Sequence, residues 1–141
     1  MTRLDTHVVV WLYAGALDRL SDTARAVLET TGAVVSPLVE LELTYLHEIG
    51  RLSVPGAVVV DDLRERMGLT TSTLSTAAVV AAAASLTWTR DPFDRLIVGD
   101  ASAAGARLLT KNATIRRRDV VSRDHHVEPG ATWATWATWA T

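Results

Sequence analysis

The stretch Arg90-Asp91-Pro92-Phe93-Asp94-Arg95-Leu96-Ile97-Val98 marks the start of a helix with two carboxylates at its mouth. Proline is favoured at the first helical position because its missing N–H would have no helical partner there in any case. Asp91 is therefore the predicted N-cap, and Asp94 falls in the first turn. Two acids at a helix start can be purely structural. A catalytic or metal site at this place requires further acids from elsewhere in the chain.

Short apolar segments alternate with helical patterns along the rest of the sequence. Ala33-Val34-Val35 and Arg107-Leu108-Leu109-Thr110 are predicted to be buried strands, while residues 69–73 fit either a strand or a loop. A first strand ends near Asp5, although the β-branched residues allow a longer strand through Val10. Because no Asn-Gly or Asp-Gly hairpin turn occurs, the pattern predicts an α/β domain with a parallel sheet.

Helices are expected between these strands, and each has a recognisable start or stop signal. Ser-Asp and Ser-Pro pairs open two of them, and Gly follows several of them. The expected helices span approximately 22–31, 37–49, 58–67, 77–86 and 91–104.

The helix that begins after Ser36 carries Leu41, Tyr45 and Ile49 as one apolar stripe. Glu40 and Glu42 lie about 200° apart around its axis, so both cannot face inward. Either glutamate can flank the stripe, and spacing alone does not choose between them.

Polar residues follow the ends of the predicted strands. In a parallel sheet with right-handed crossovers, the carboxyl ends of all strands lie at one edge, where ligands bind. We therefore expect Asp5, the loop before the Ser36 helix and Lys111-Asn112 to gather there. The Asp94 helix mouth is less directly fixed by this reasoning.

Length and composition predict a single soluble domain. The chain has 141 residues, 48% of them hydrophobic, with no cysteine and a net charge of −2. Disulfides and cysteine nucleophiles are therefore excluded. The N-terminus lacks a signal-peptide layout, and the most apolar run, 77–86, is too short to span a bilayer. We expect a cytoplasmic protein without a membrane partner.

The C-terminal part combines a basic cluster with a low-complexity tail. The cluster either contacts nucleic acid locally or forms a solvated face. Residues 131–139 repeat Ala-Thr-Trp, and we expect 128–141 to form a disordered tail outside a 1–127 domain. The basic residues are Arg107, Lys111, Arg116, Arg117, Arg118 and Arg123.

Four segments in order resemble one family. They are Leu4-Asp5-Thr6-His7, Val35-Ser36-Pro37 through Glu42 to Gly50-Arg51-Leu52, Arg90 to Ile97, and Leu108-Leu109-Thr110-Lys111. Together they resemble the PIN-domain ribonucleases, and within these the VapC toxins of bacterial toxin–antitoxin pairs. The resemblance implies a three-layer domain with a central parallel sheet flanked by helices, Mg²⁺- or Mn²⁺-dependent endoribonuclease activity, a cognate antitoxin and a homodimer.

The resemblance also implies roles for individual residues. Asp5, Glu42 and Asp94 would be the catalytic metal ligands, and Glu40 would fall at a variable position. A water activated by the metal would cut the RNA phosphodiester bond. Residues that would orient ligands or water are Thr6, Asp91, Thr110 and Asn112. Residues expected to hold the RNA backbone are Lys111, Arg116, Arg117 and Arg118.

Asn112 departs from the family pattern, since many relatives have an aspartate there. An amide oxygen can still bind a hard cation, but it adds no negative charge. Two other interpretations therefore stay open. One is a catalytically weakened PIN domain that acts as an RNA- or protein-binding regulatory module. The other is an α/β domain whose acids serve only as helix caps.

Overall fold

A computed structural model describes residues 1–112 and residue 115. Four short strands alternate with six α-helices in these residues, and a 3-10 turn at Leu17–Arg19 follows the first helix. The strands are β1 (Thr2–Leu4), β2 (Ala33–Val35), β3 (Thr70–Thr71) and β4 (Leu108–Leu109). The helices are α1 (Thr6–Ala14), α2 (Asp22–Thr31), α3 (Pro37–Glu48), α4 (Gly56–Met67), α5 (Thr76–Ala84) and α6 (Pro92–Ala103).

The four described strands form a parallel sheet in the order β3-β2-β1-β4. Arg3 in β1 pairs with Val34 in β2 and with Leu108 in β4, so β1 lies inside the sheet. The predicted α/β class and parallel sheet are confirmed. The 69–73 segment contributes a strand, β3, rather than only a loop.

The strand order places helices on both faces of the sheet. The connections from β1 to β2 and from β2 to β3 step in one direction, whereas the connection from β3 to β4 steps back past β1. With right-handed crossovers, α1–α4 cover one face, and α5 and α6 cover the other. The carboxyl ends of the strands therefore share one edge, at which the connections diverge.

The apolar run after Asp5 is helical rather than an extension of β1. Asp5 is the N-cap of α1, and its side chain accepts a hydrogen bond from the Thr6 N–H. Val8, Val9, Val10 and other members of the run are buried around the whole helix. A continuous apolar run lacks the periodicity that separates a buried helix from a buried strand, so the capping aspartate is the deciding signal.

The Leu41-Tyr45-Ile49 stripe of α3 is not the buried face of that helix. These side chains are between 47% and 55% exposed. The buried face instead carries Val39, Glu42, Leu43 and Leu46. Val39, Leu43 and Leu46 recur at helical spacing and turn this face toward the core, and Glu42 lies beside them.

A buried ion pair ties the sheet to α6. Asp100 of α6 is almost fully buried and accepts hydrogen bonds from Arg3 of β1 (3.3 Å) and from Ser72, just after β3 (2.7 Å). A buried carboxylate needs such partners, because removing one side of a buried pair leaves an uncompensated charge. This network fixes α6 against the sheet.

Two glycines allow close helix packing. A Cβ atom on Gly56 would clash with the Glu40 carbonyl oxygen, and one on Gly99 would lie 2.9 Å from the Val79 carbonyl oxygen. The first contact brings α4 against α3, and the second brings α6 against α5. The helices that carry Glu42 (α3) and Asp94 (α6) therefore each pack closely against a neighbouring helix.

Several expectations concern residues outside the described part of the chain. They include the roles of the arginines at 116–118 and 123 and the boundary between domain and tail at 127–128. Among the described residues, no helix combines the length and apolar character needed to cross a bilayer.

Candidate metal centre

The first component of the site is the end of β1, where Asp5 leaves the sheet. Asp5 is buried, and its two carboxylate oxygens accept hydrogen bonds from the Thr6 N–H (2.7 Å) and the Thr110 hydroxyl (2.5 Å). Thr110 follows β4, the strand beside β1. Both residues therefore lie at the carboxyl edge of the sheet, and Thr110 fixes the orientation of the Asp5 carboxylate.

The second component is the start of α6. The predicted N-cap is confirmed, because Asp91 Oδ1 accepts hydrogen bonds from the N–H groups of Phe93 (2.9 Å) and Asp94 (3.1 Å). Arg95 donates to the carbonyl oxygens of Ala83 and Ala84 at the end of α5. This contact anchors the first turn of α6 and leaves Asp94 beside Asp91.

The third component is Glu42, which points inward from α3 although its helix exposes an apolar stripe. Ligand oxygens of Glu42, Asp91 and Asp94 all lie within 4.8 Å of one another. The structure therefore brings together Glu42 of α3 and Asp91 at the start of α6, which are 49 positions apart in sequence. Asp91, expected only to orient other ligands, is a member of this cluster.

These acids open into one cavity of about 290 Å³. Asp5 contributes to its wall from the strand edge, and basic and neutral polar side chains complete it. The lining residues are Asp5, His7, Glu42, Asp91, Asp94, Lys111 and Asn112. We call this cavity the acid pocket.

Burial and the neighbouring negative charges raise the pKa values of acids in the pocket. Burial, reinforced by the charge of Asp5, raises the pKa of Glu42 and of Asp94 to about 7. The Thr6 side chain partly opposes the rise at Glu42. Burial also raises the pKa of Asp5, although its hydrogen bonds from Thr110 and Thr6 oppose this. The pocket thus concentrates more negative charge than its surroundings neutralise.

The pKa values of the two basic side chains in the pocket, His7 and Lys111, are lowered. Burial, and then the charge of Lys111, lowers the pKa of His7 to about 2, so its imidazole is neutral at physiological pH. Burial lowers the pKa of Lys111, while Asp5 opposes the change.

The donor set fits a hard divalent cation such as Mg²⁺ or Mn²⁺. Such ions prefer several oxygen ligands, carboxylates among them. Glu42, Asp91 and Asp94 supply three carboxylates with ligand oxygens within 4.8 Å of one another. A bound cation would also supply the charge that the raised pKa values of Glu42 and Asp94 indicate is lacking.

Asn112 has a local structural role at the edge of the pocket. Its side-chain oxygen accepts a hydrogen bond from the Ile115 N–H (3.3 Å), and its own N–H donates to the Thr110 hydroxyl (3.0 Å). Thr110 in turn donates to Asp5. The link to Thr110 and Asp5 comes from the backbone N–H of Asn112, so it does not depend on the amide side chain.

Comparison with known proteins agrees with this architecture. A family model described as PIN domain matches residues 3–121. The chain belongs to the PIN-domain family. This PIN domain is 32% identical over 133 residues to Ribonuclease VapC22 of Mycobacterium tuberculosis (strain ATCC 25618 / H37Rv), covering 92% of this chain and 96% of that protein. The predicted VapC-like character of the chain is confirmed.

A solved structure shares the fold of this PIN domain. It is the crystal structure of VapBC2 from Rickettsia felis bound to a DNA fragment from their promoter. The TM-score is 0.61 at 19% identity, and the match covers 85% of this chain and 94% of that chain. The three-layer arrangement expected from the resemblance agrees with this likeness.

Sequence reasoning missed two features of the pocket. No spacing rule places Asp91 among the clustered acids. As a helix cap it uses only Oδ1, and its second carboxylate oxygen is available to the cluster. The sequence analysis assigned no role to His7, yet its side chain lines the pocket. The sequence contained a signal for His7. It is the second residue of a helix that begins at the carboxyl edge of the sheet, where ligands bind.

The raised pKa values of Glu42 and Asp94 predict how pH changes the stability of the metal-free protein. Between their ordinary values near 4 and about 7, the folded state binds more protons than the unfolded state. We therefore expect these two groups to lower the free energy of unfolding as pH rises through this window, with no further loss well above pH 7. Chemical denaturation in EDTA from pH 4.5 to 8.5 measures the effect.

The double variant Glu42→Gln, Asp94→Asn should flatten this part of the pH profile, whereas Asp61→Asn, on an exposed acid, should not. Mn²⁺ should stabilise the wild type most above pH 7, where the ligands are ionised. An identical pH slope in the wild type and the double variant would contradict the assignment.

Proposed function

We propose that this PIN domain is a metal-dependent endoribonuclease, the toxin of a toxin–antitoxin pair. The observation that carries the proposal is the convergence of Glu42, Asp91 and Asp94 in a pocket that also contains buried Asp5. The name of the 32% identical relative, Ribonuclease VapC22, supports RNA as the substrate.

The acid pocket would hold Mg²⁺ or Mn²⁺ through Asp5, Glu42 and Asp94, with Asp91 as a further ligand. The bound cation supplies an activated water and stabilises negative charge on the scissile phosphate. Without metal, burial raises the pKa of Glu42 and of Asp94 to about 7, so a cation bound by these two carboxylates would displace protons from them near neutral pH. Thr110 holds the Asp5 carboxylate in one orientation, and Thr6 stands beside Glu42.

Cations beside the pocket would hold the RNA backbone. Lys111 lines the pocket, and we propose that it pairs with a phosphate oxygen of the substrate. Arg116, Arg117 and Arg118 follow it in sequence, and we propose that they contact phosphates farther along the strand. Such contacts give affinity without sequence selection.

The acids can be tested directly by RNA cleavage. Asp94→Asn and Glu42→Gln should each lower the cleavage rate about 100-fold or more, because each removes a charged metal ligand worth several kcal/mol in the transition state. EDTA should abolish cleavage, and Mg²⁺ or Mn²⁺ should restore it. Gel analysis of a labelled RNA pool gives the rates.

Glu40→Gln is the matched control, since Glu40 lies on the same helix but outside the acid pocket. Its cleavage rate should equal that of the wild type. Asn112→Asp should change the rate only a few-fold, because an aspartate can make the same cap. A large gain from Asn112→Asp would instead favour the weakened binding module, and metal-independent cleavage would overturn the proposal.

An antitoxin partner is part of the proposal, and a groove offers a docking surface for it. The groove has a volume of about 440 Å³ and lies between α1, α2 and α4. Leu12, Leu20, Leu28 and Leu63 line it, and Arg25 and Glu29 stand among them. An apolar groove edged by charge fits an amphipathic helix of the partner.

Leu17 and Val58 provide a matched test of this surface. They are 46% and 45% exposed, but only Leu17 lines the groove. Leu17→Glu should weaken binding of the protein encoded directly upstream by tenfold or more, because it places a charge on an apolar contact. Val58→Glu should not. Titration calorimetry measures both, and RNA cleavage should be unchanged in each variant. Equal binding by the two variants would exclude the groove.

We also propose that the exposed α3 stripe is a homodimer interface. Leu41, Tyr45 and Ile49 present a continuous apolar face, which Phe93 extends by stacking on Tyr45 at a centroid distance of 6.1 Å. Contiguous exposed apolar surface of this kind marks a contact between proteins. The face adjoins the acid pocket, since Phe93 precedes Asp94 and Tyr45 lies one turn beyond Glu42.

Leu41→Glu should convert the dimer to a monomer, because it buries an unpaired charge in the interface. Val80→Glu, on a similarly exposed residue of α5, should stay dimeric. Sedimentation velocity distinguishes the states. A monomeric wild type, or a dimeric Leu41→Glu, would contradict this interface.

A further inference from the structure

Two charged side chains of α2, Arg25 and Glu29, stand among the leucines of the groove proposed to bind the antitoxin. They are four residues apart in the helix, so they lie on one face of it, about 6 Å apart along its axis. A partner that fills the groove withdraws both charges from water. Because a charge that is covered without a counter-charge is costly, each of them calls for an opposite charge on the partner.

Stabilisation of α2 does not account for the order of these two charges. A helix favours acids near its start and bases near its end, and a glutamate four residues before a base is better than the reverse order. In α2 the arginine comes first. The two side chains do not pair with each other, because Arg25 pairs with Asp22 at 3.0 Å. Among residues 1–112 and 115, no basic side chain forms an ion pair with Glu29.

The third charged residue of the groove, Arg66, is already engaged by its own chain. Its guanidinium donates to Asp62 (2.7 Å) and to the Tyr13 carbonyl oxygen at the end of α1 (3.1 Å). The partner of Arg25 is instead an aspartate side chain that is 98% exposed, and such a surface pair contributes little. Arg25 and Glu29 are therefore the groove charges that a bound protein can engage at low cost.

We infer that Arg25 and Glu29 fix the direction and register of the antitoxin helix in the groove. This inference rests on the proposed toxin–antitoxin function. The bound helix would carry an acid opposite Arg25 and a base opposite Glu29, three or four residues apart, because those spacings match one helical turn. A reversed helix, or one shifted by a turn, would place like charges against each other. Like-charge contacts exclude wrong arrangements more strongly than the correct pairs add affinity.

Exchanging the two charges tests this inference. The exchanged variant, Arg25→Glu with Glu29→Arg, keeps the net charge and the apolar lining of the groove. It should bind the protein encoded directly upstream about tenfold or more weakly than the wild type does, because like charges now face each other. The loss should shrink in about 1 M salt, which screens exposed charges. Titration calorimetry at low and high salt measures both effects.

The matched control is Asp61→Arg with Arg64→Glu, which exchanges an exposed ion pair of α4 outside the groove. Its affinity for the upstream-encoded protein should equal that of the wild type. Arg25→Gln with Glu29→Gln removes both charges without creating repulsion, so it should weaken binding only a few-fold. Thermal unfolding of each variant checks that the fold is retained.

Compensating changes in the partner test direct contact. A set of partner variants, each with one acid and one base three or four residues apart exchanged, is titrated against both toxin forms. One of them should bind the exchanged variant tightly and the wild type weakly, as expected for charges that face each other. A structural effect of the exchange would be the same at every salt concentration, and no change in the partner would reverse it.

The possible failures are distinguishable. If the wild type does not bind the upstream-encoded protein, the antitoxin part of the proposed function fails, and this inference fails with it. If Leu17→Glu weakens binding but the exchanged variant binds as tightly as the wild type, the groove stands, and only the role of Arg25 and Glu29 is overturned. A loss that is independent of salt, that no partner variant reverses, or that the neutral variant matches would also overturn it.

Discussion

The convergence of four carboxylates in one cavity is the constraint on which the functional architecture depends. Asp5, Glu42, Asp91 and Asp94 share one cavity, and the pKa of Glu42 and of Asp94 rises to about 7 as a result of burial and neighbouring charge. Like charges so close together separate unless the backbone holds them. The end of β1, the core-facing side of α3 and the capped start of α6 supply that restraint.

The scaffold around the pocket can be understood from this requirement. Asp100 joins α6 to Arg3 and Ser72 through buried hydrogen bonds, and Arg95 joins the first turn of α6 to the end of α5. These contacts resist displacement of the helix that carries the repelling acids. A site preorganised in this way need not be rearranged when a cation enters, so binding energy is not used to assemble it.

The two surfaces proposed to bind partners lie at different distances from the acid pocket. The apolar groove lies at the far end of α1, ten residues beyond Asp5 at Gly15, or about 15 Å along the helix axis. The exposed α3 stripe instead adjoins the pocket through Tyr45 and Phe93. On the proposed assignments, an antitoxin in the groove would leave the acids of the pocket in place, whereas a second subunit on the stripe would lie beside them.

Sequence alone determined the local features: the Asp91 cap followed by Pro92, the strands at 33–35 and near 108, and the parallel α/β class. These depend on capping, apolar runs and turn chemistry, all of which act over a few residues. Tertiary structure decided what helical spacing had left open: that Glu42 faces inward, that Leu41 and Tyr45 face outward, and that Asp91 joins the acids. Helix rotation is set by packing between distant segments, and amphipathic spacing around Glu40 and Glu42 allowed more than one solution.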